Sequence, residues 1–280
     1  MNKHHQLSRG VSRNELEDYL SFKKIQGNCD RWVGEIRRGL LVYLNYIDYN
    51  ISQSETLAFL KSKKERYAIS TYRKMIYQVR SFLLFLDVGW AKNIIPPAEP
   101  EYTPKRVSKE DIQRTIELVG SGGYGIRYVA LILLGASSGM RAEELYQLRT
   151  DDIDLDKQIV YINHDPKSGQ TTKTKKNRIS FFNTETKNAL IQYLALFNQD
   201  GKLKYLFFKR QCEKVFQNTP IHVKDLRKFF SQEWDRRGGP TSIKKMLMGH
   251  SLRGDVDLMH YNYQSEEDLK KIYDNIGIKI

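Results

Sequence analysis

Apolar residues recur at three- and four-residue steps along most of the chain, a spacing that predicts amphipathic helices. Leu16, Tyr19 and Leu20 make one such set, and Val33, Ile36, Leu40, Leu41 and Leu44 make a second. The clearest runs from Ser70 to Leu86, where Tyr72, Met75, Ile76, Val79, Phe82 and Leu83 form one stripe. Arg73, Lys74 and Arg80 lie largely off it, and Gly89 stands where such a helix is expected to stop. The pattern breaks at Ile94–Pro104, which holds four of the seven prolines. Proline fixes φ and removes a backbone donor, so the stretch reads as an extended linker. The expected division is a helical domain at 1–93, a linker at 94–106 and a second domain at 107–280.

In the second domain, Ser108-Lys109-Glu110-Asp111 resembles a capping box opening a helix through Ile112, Ile116 and Val119, which Gly120–Gly123 ends. Tyr128–Leu134 predicts a core helix, Gly135–Gly139 a turn, and Arg141, Glu144, Leu145 and Leu148 the next helix. The period then changes from 3.6 to 2. Gln158–Asn163 and Lys176–Phe182 read as paired strands, with a turn at Asp165–Gly169. The remainder returns to helix, the last one starting near Ser265. The expected fold class is mainly α with a small antiparallel β-sheet in the C-terminal domain.

Charge narrows the partner. The 280 residues carry a formal net charge of +13, and 40% are hydrophobic, enough for a sizeable core. Such a surplus favours a polyanion, nucleic acid or acidic membrane. The longest apolar run, Val129–Ala136, falls far short of the ~20 residues of a membrane-spanning helix. The first residues show no secretory pattern. Cys29 and Cys212 have neither metal-site nor disulfide-framework spacing. A cytoplasmic protein without a metal or cofactor is expected, and its charge alone fits a ribosomal or RNA-binding protein as well as a DNA-binding one. The basic face of the first domain has two readings, a solvated bundle surface or a DNA contact through Arg73, Lys74 and Arg80.

Strand transfer on a phosphodiester needs a nucleophile, cations around the phosphorane and an acid for the departing oxygen. Arginine suits the phosphate through its planar fork, and lysine or histidine suits proton transfer. Arg141 in Ser138-Gly139-Met140-Arg141-Ala142-Glu143-Glu144-Leu145 is either a surface arginine paired with Glu144 or a phosphate ligand oriented by it. Lys173 in Thr172–Arg178 is either part of a solvated hairpin or an acid that reaches a groove. Lys167 competes with it, and Lys175 and Lys176 stand behind. Lys224 and Arg227 share a helical face, and His222 points away from it. His250 in Met248-Gly249-His250-Ser251 follows a glycine that ends a helix, a common structural place for histidine. Tyr261 is one of 17 tyrosines, and a phenol of pKa ~10 needs assistance to attack at neutral pH.

Taken in order, these segments resemble the tyrosine recombinases: phage integrases, Xer recombinases and Cre, with archaeal and viral members among them. Ser138–Leu145 is similar to the family's Thr-Gly-Leu-Arg-x-x-Glu-Leu box. Thr172–Arg178 fits its Gly-Lys-Gly-x-Lys-x-Arg register at Lys173. Lys224-Asp225-Leu226-Arg227 resembles His-x-Leu-Arg, with Lys224 in the histidine's place. Met248–Ser251 resembles Leu-Gly-His-Ser, His250 lying 23 positions after Arg227. Tyr261-Asn262-Tyr263 stands where the family has Tyr-x-His, eleven positions after His250 and with Tyr263 as a minor rival.

The resemblance covers nearly the whole chain and implies a DNA-clamping first domain and a catalytic second one. It implies that Tyr261 forms a 3′-phosphotyrosyl link, that Arg141, Lys224, Arg227 and His250 contact the phosphate, that Lys173 is the general acid, and that Glu144 supports the site. Arg73, Lys74, Arg80 and Lys175 are further candidates for DNA contact. The implied partners are double-stranded DNA bearing a specific recombination site and further copies of the chain, as a tetramer on DNA that passes through a Holliday junction. The competing expectations are a catalytically impaired DNA-binding relative and a type IB topoisomerase.

Overall fold

The computed structural model describes residues 9–201, 203–250 and 264–280. Two separate hydrophobic cores divide them into two units, one ending at Thr103 and the other beginning at Pro104.

The first unit runs β1 (Arg9–Gly10), α1 (Arg13–Ile25), α2 (Asp30–Tyr46), β2 (Asn50–Ile51), α3 (Gln53–Lys64) and α4 (Ile69–Phe85). Ser12 and Glu15 form a capping box that starts α1, satisfying backbone donors a helix otherwise leaves open. Leu16, Tyr19 and Leu20 then face inward, and Tyr19 meets Phe82 of α4 edge-on at 5.2 Å. The hydroxyl of the buried Tyr43 is satisfied by Thr56 at 2.7 Å. In α4 the stripe is buried at Ile76, Val79, Phe82 and Leu83, while Tyr72 and Met75 are only half-buried.

Gly89 does not end α4. The helix stops at Leu86, Asp87 takes a left-handed φ of 57°, and Val88 N–H returns to Leu83 O at 3.0 Å. Aspartate tolerates that conformation better than most residues, and Val88 and Ala91 gain burial from it. Gly89 opens a short 3-10 turn to Asn93 instead.

The second unit runs α5 (Lys109–Gly120), α6 (Gly125–Ser138), α7 (Ala142–Tyr146), β3 (Ile153–Asp154), β4 (Ile159–Ile162), β5 (Arg178–Phe181), α8 (Thr184–Phe197), α9 (Lys209–Val215), α10 (Val223–Arg236), α11 (Thr241–Met248) and α12 (Glu266–Ile276). α6 is buried along almost its whole length and packs against α5, α8 and α10. Each of its fully buried leucines and isoleucines contributes about 1.5–3 kcal/mol of transfer free energy.

The turn expected at Gly135–Gly139 is helix as far as Ser138. A Cβ at Gly135 would lie 2.7 Å from Leu226 Cδ1, so this glycine serves a close helix approach rather than a bend. The Ser137 and Ser138 hydroxyls donate back to Leu133 O and Leu134 O at 2.7 and 2.6 Å, which keeps both inside the helix.

The sheet has the order β3-β4-β5 and is antiparallel throughout, with Ile162 opposite Arg178 and Ile159 opposite Phe181. Its strands are shorter than the alternation suggested, and β3 adds to the free edge of β4. α12 begins at a capping box of Ser265 and Asp268. It lies on the core of its own unit, where buried Tyr273 donates to Ser137 O at 2.9 Å. The molecule is mainly α with a small antiparallel sheet in the second unit, plus the two-residue β1–β2 pairing in the first. No helix among the described residues is long and apolar enough to cross a membrane.

Candidate active site

Where α6 ends, the chain must turn sharply beside α10. Gly139 takes φ 66°, and a Cβ there would sit 2.4 Å from Phe230 Cδ1, so only glycine fits the corner. Two residues later Arg141 occupies the N-cap position of α7. Glu144, one turn on, accepts from the Arg141 backbone N–H at 2.8 Å and from Arg141 Nη1 at 2.9 Å. The Arg141–Glu144 pairing is therefore present, and it lies inside the protein: the Glu144 side chain is 2% exposed.

Sequence reasoning missed the second partner of that carboxylate. Arg178, the first residue of β5, donates from Nη1 and Nη2 to the two Glu144 oxygens at 3.0 and 2.6 Å. Such parallel pairing is the strong form of the interaction. Burial raises the Glu144 pKa, but the Arg178 and Arg141 contacts outweigh it and hold the carboxyl below its ordinary value. The signal was visible, since Arg178 closes the lysine-bearing register, but its reach to Glu144 depends on how β5 lies beside α7.

Three arginines then converge on the end of α11. Arg178 Nε donates to Leu247 O at 2.9 Å, Arg227 Nη1 to Met248 O at 2.7 Å and Arg141 Nη2 to Gly249 O at 3.0 Å. A helix C-terminus presents unpaired carbonyls and partial negative charge, which cations satisfy. Arg227 Nη1 also donates to Gly139 O at 2.8 Å, joining the end of α6 to the end of α11. Gly249 has φ 64°, and a Cβ would come within 2.8 Å of Arg178 Cδ. The tight turn places His250 directly after it, with His250 N–H on Lys245 O at 2.9 Å.

Arg141 and Arg178 thus pair with one carboxylate, and Arg227 stands within its electrostatic reach, so the cluster carries more positive than negative charge. Burial, followed by Arg141, lowers the Arg227 guanidinium to about 10, and Glu144 only partly offsets this. Arg227 stays charged at neutral pH. His250 is exposed, yet partial desolvation by the protein around its ring, then Arg227, Arg141, Lys244 and Arg178, push its pKa below the ordinary value. Lys244 is itself paired with Asp235 at 2.6 Å. The hydrogen bonds of Arg227 among the described residues are both made by Nη1.

The other expected residues are placed differently. Lys224 lies on α10 one turn before Arg227, exposed, and Lys173 is exposed on the β4–β5 connection. Neither makes a hydrogen bond or ion pair among the described residues. Lys175 sits exposed at a left-handed φ of 55°, and Lys167 is exposed in a 3-10 turn. His222 caps α10, its Nδ1 on Phe216 O at 2.8 Å, away from the cluster.

In the first unit the three basic candidates each have a neighbour. Arg73 faces Glu99 at 3.8 Å, Lys74 pairs with Glu35 at 2.8 Å over the Trp32 ring, and Arg80 reaches Lys92 O at 3.5 Å. Tyr261, with its rival Tyr263, lies outside the described residues.

The arrangement is a hydrogen-bonded cationic cluster whose charge suits a phosphodiester. The model of the phage integrase family matches residues 105–267, well over half of the chain. Tyrosine recombinase XerA of Thermococcus onnurineus is 21% identical over 244 residues, covering 87% of this chain and 83% of that protein. Tyrosine recombinase XerC of Neisseria meningitidis is 26% identical over 212 residues, covering 75% of this chain and 62% of that protein. Among solved structures, a lambda integrase dimer bound to a COC′ core site aligns with TM-score 0.67 and 11% identity, over 92% of this chain and 80% of that one. From the residues matched and the fold together, the chain belongs to the phage integrase family, the tyrosine recombinases.

Proposed function

We propose that this chain breaks and rejoins double-stranded DNA at a specific site, with Tyr261 as nucleophile and the arginine cluster as the phosphate-binding surface. One observation carries the reading. Arg141, Arg178 and Arg227, from three separate elements, are locked onto the last carbonyls of α11 and deliver His250 beside them, Arg141 and Gly249 standing 108 positions apart. A cationic cluster held by this many hydrogen bonds, with a buried carboxylate to orient it, suits an anion that bears developing charge.

In the proposed reaction the Tyr261 oxygen attacks phosphorus as its proton leaves to water. The bond from phosphorus to the 5′ oxygen breaks, and Lys173 gives that oxygen a proton. Arg141, Arg227 and His250 donate to the non-bridging oxygens, and Lys224 adds a contact at the edge. Glu144 holds Arg141 and Arg178 in place. The 3′-phosphotyrosyl link conserves the bond energy, so a 5′ hydroxyl from a partner duplex reverses the step and yields a Holliday junction. The first unit would clamp the DNA, with Arg73, Lys74 and Arg80 as its candidate contacts and Lys175 as a candidate in the second unit. Two rounds of exchange call for a tetramer on two duplexes.

The test uses a DNA duplex nicked next to the scissile phosphate, so that the cleaved end diffuses away. The expected product is a covalent protein–DNA species that Tyr261→Phe abolishes and Tyr263→Phe retains. An adduct that persists in Tyr261→Phe and vanishes in Tyr263→Phe moves the nucleophile to Tyr263. No adduct in either background, on DNA that the protein binds site-specifically, removes the catalytic reading.

A further inference from the structure

The connection between β4 and β5 is folded in two stages. Asp165 and Gln170 bridge to each other and close a small outer loop, Asp165 N–H on Gln170 O at 2.8 Å and Gln170 N–H on Asp165 O at 3.1 Å. The chain then returns into a second tight turn from Thr172 to Asn177, and this turn carries Lys173. Thr172 closes it from within. Its hydroxyl donates to Lys176 O at 3.0 Å and accepts from Lys176 N–H at 3.1 Å, while its carbonyl accepts from Lys175 N–H at 3.2 Å. These bonds shape the turn, but none of them fixes it to the sheet.

His164, just past the end of β4, does that at both ends of the turn. Its Nδ1 accepts the Thr172 backbone N–H at 3.1 Å, and its own backbone N–H donates to Asn177 Oδ1 at 2.7 Å. A ring nitrogen that accepts an N–H carries no proton, so the proton of the neutral ring sits on Nε2. Thr172 is buried and His164 half-buried, so the Thr172 end of the clamp is shielded, whereas Asn177 at the other end and Lys173, the residue after Thr172, are exposed.

We propose that His164 is a positioning residue for the lysine turn: it holds Thr172 and Asn177 so that Lys173 is presented in one place. The proposal rests on the reading of Lys173 as the general acid. Proton transfer needs the ammonium within hydrogen-bond reach of the departing oxygen, and misplacement by ~1 Å can lower a rate ~10²-fold. Among the described residues, His164 makes no hydrogen bond to Arg141, Arg178, Arg227 or His250, so the proposed effect is one on the turn that carries Lys173.

The experiment pairs two leaving groups. Single-turnover cleavage is measured on an ordinary substrate and on one whose 5′ bridging oxygen is sulfur, a thiolate that departs without an acid. His164→Phe keeps an aromatic ring and removes the acceptor. It should cleave the oxygen substrate up to ~10²-fold slower at saturating DNA and recover on the sulfur substrate. His164→Asn, whose amide oxygen stands near the position of Nδ1, should cleave the oxygen substrate close to the original rate. Should His164→Phe fail to fold, His164→Asn is compared with His164→Gln, whose oxygen lies one carbon too far.

Oxygen-substrate rates in His164→Phe equal to those of the parent, a defect that sulfur does not relieve, or equal rates for the Asn and Gln variants would each overturn the proposal. Lys173→Ala distinguishes the two levels. If sulfur does not rescue Lys173→Ala but does rescue Lys167→Ala, the assignment of the acid fails, whatever His164 does.

Discussion

Glu144 shows how a buried charge is kept. It has two arginine partners and an almost completely covered side chain, so its removal leaves Arg141 and Arg178 facing each other without a counter-ion. Glu144→Gln should destabilise the second unit by about 3–5 kcal/mol, read from urea unfolding at neutral pH. The folded-state pKa of Glu144 lies below its unfolded value of 4.5, so the ion pair contributes fully above that value. The contribution is lost as pH falls below it toward the depressed folded pKa. The gap between the parent and Glu144→Gln should therefore narrow across that acid interval and be constant at higher pH. A gap that widens on acidification contradicts the assignment.

His250 gives a prediction of opposite direction on binding. Its pKa is lowered in the free protein by partial burial and by four cations. A bound phosphodiester offsets part of that positive charge, so the pKa should rise when DNA is added. Protonation of the imidazole followed by NMR, free and DNA-bound, measures the shift. Arg227→Ala removes a phosphate donor and should lower single-turnover cleavage on the order of 10²–10³-fold.

At the scale of elements, the end of α11 is the junction on which the site depends. Its last two carbonyls and that of the following Gly249 each accept from a different arginine, and Gly249 gives the left-handed turn that leads to His250. Gly249→Ala meets both a strained φ and the Arg178 side chain at 2.8 Å. It should displace Arg178 from Glu144 and the Leu247 carbonyl, reducing cleavage far more than Gly277→Ala does. Gly277 shares the left-handed conformation, φ 60°, but has open room near its Cβ, with neighbours no closer than 3.7 Å. Comparing the two variants separates the cost of the conformation from the cost of moving the arginine.

At the scale of the whole molecule, the two units have independent cores separated by the irregular stretch after Asn93. Limited proteolysis should cut within residues 94–103, and the fragment beginning near Pro104 should keep a cooperative thermal transition. Loss of cooperativity in that fragment would show that its core depends on the first unit. DNA binding by the intact chain should weaken linearly in log–log terms as salt rises, because each neutralised phosphate releases counterions.

The sequence by itself determined the helical period of both domains, the proline break, the capping box at Ser108, the start of the last helix near Ser265 and the order of the basic boxes. Each of these is local: a cap, a stripe or a proline acts on residues within a turn or two of itself. It also named Arg141, Glu144, Arg227 and His250, because their boxes carry recognisable neighbours. What it did not reveal were the contacts that cross between elements. Gly135 read as a turn because its close approach to Leu226 belongs to the packing of α6 on α10. Arg178 read as one residue of a strand because its pairing with Glu144 needs β5 in register with β4 and set against the α6–α7 corner. His164 drew no notice for the same reason: its partners, Thr172 and Asn177, are brought to it only when the turn closes. Tertiary structure decided these points, since a charged or polar side chain acquires its role from groups that chain distance does not specify.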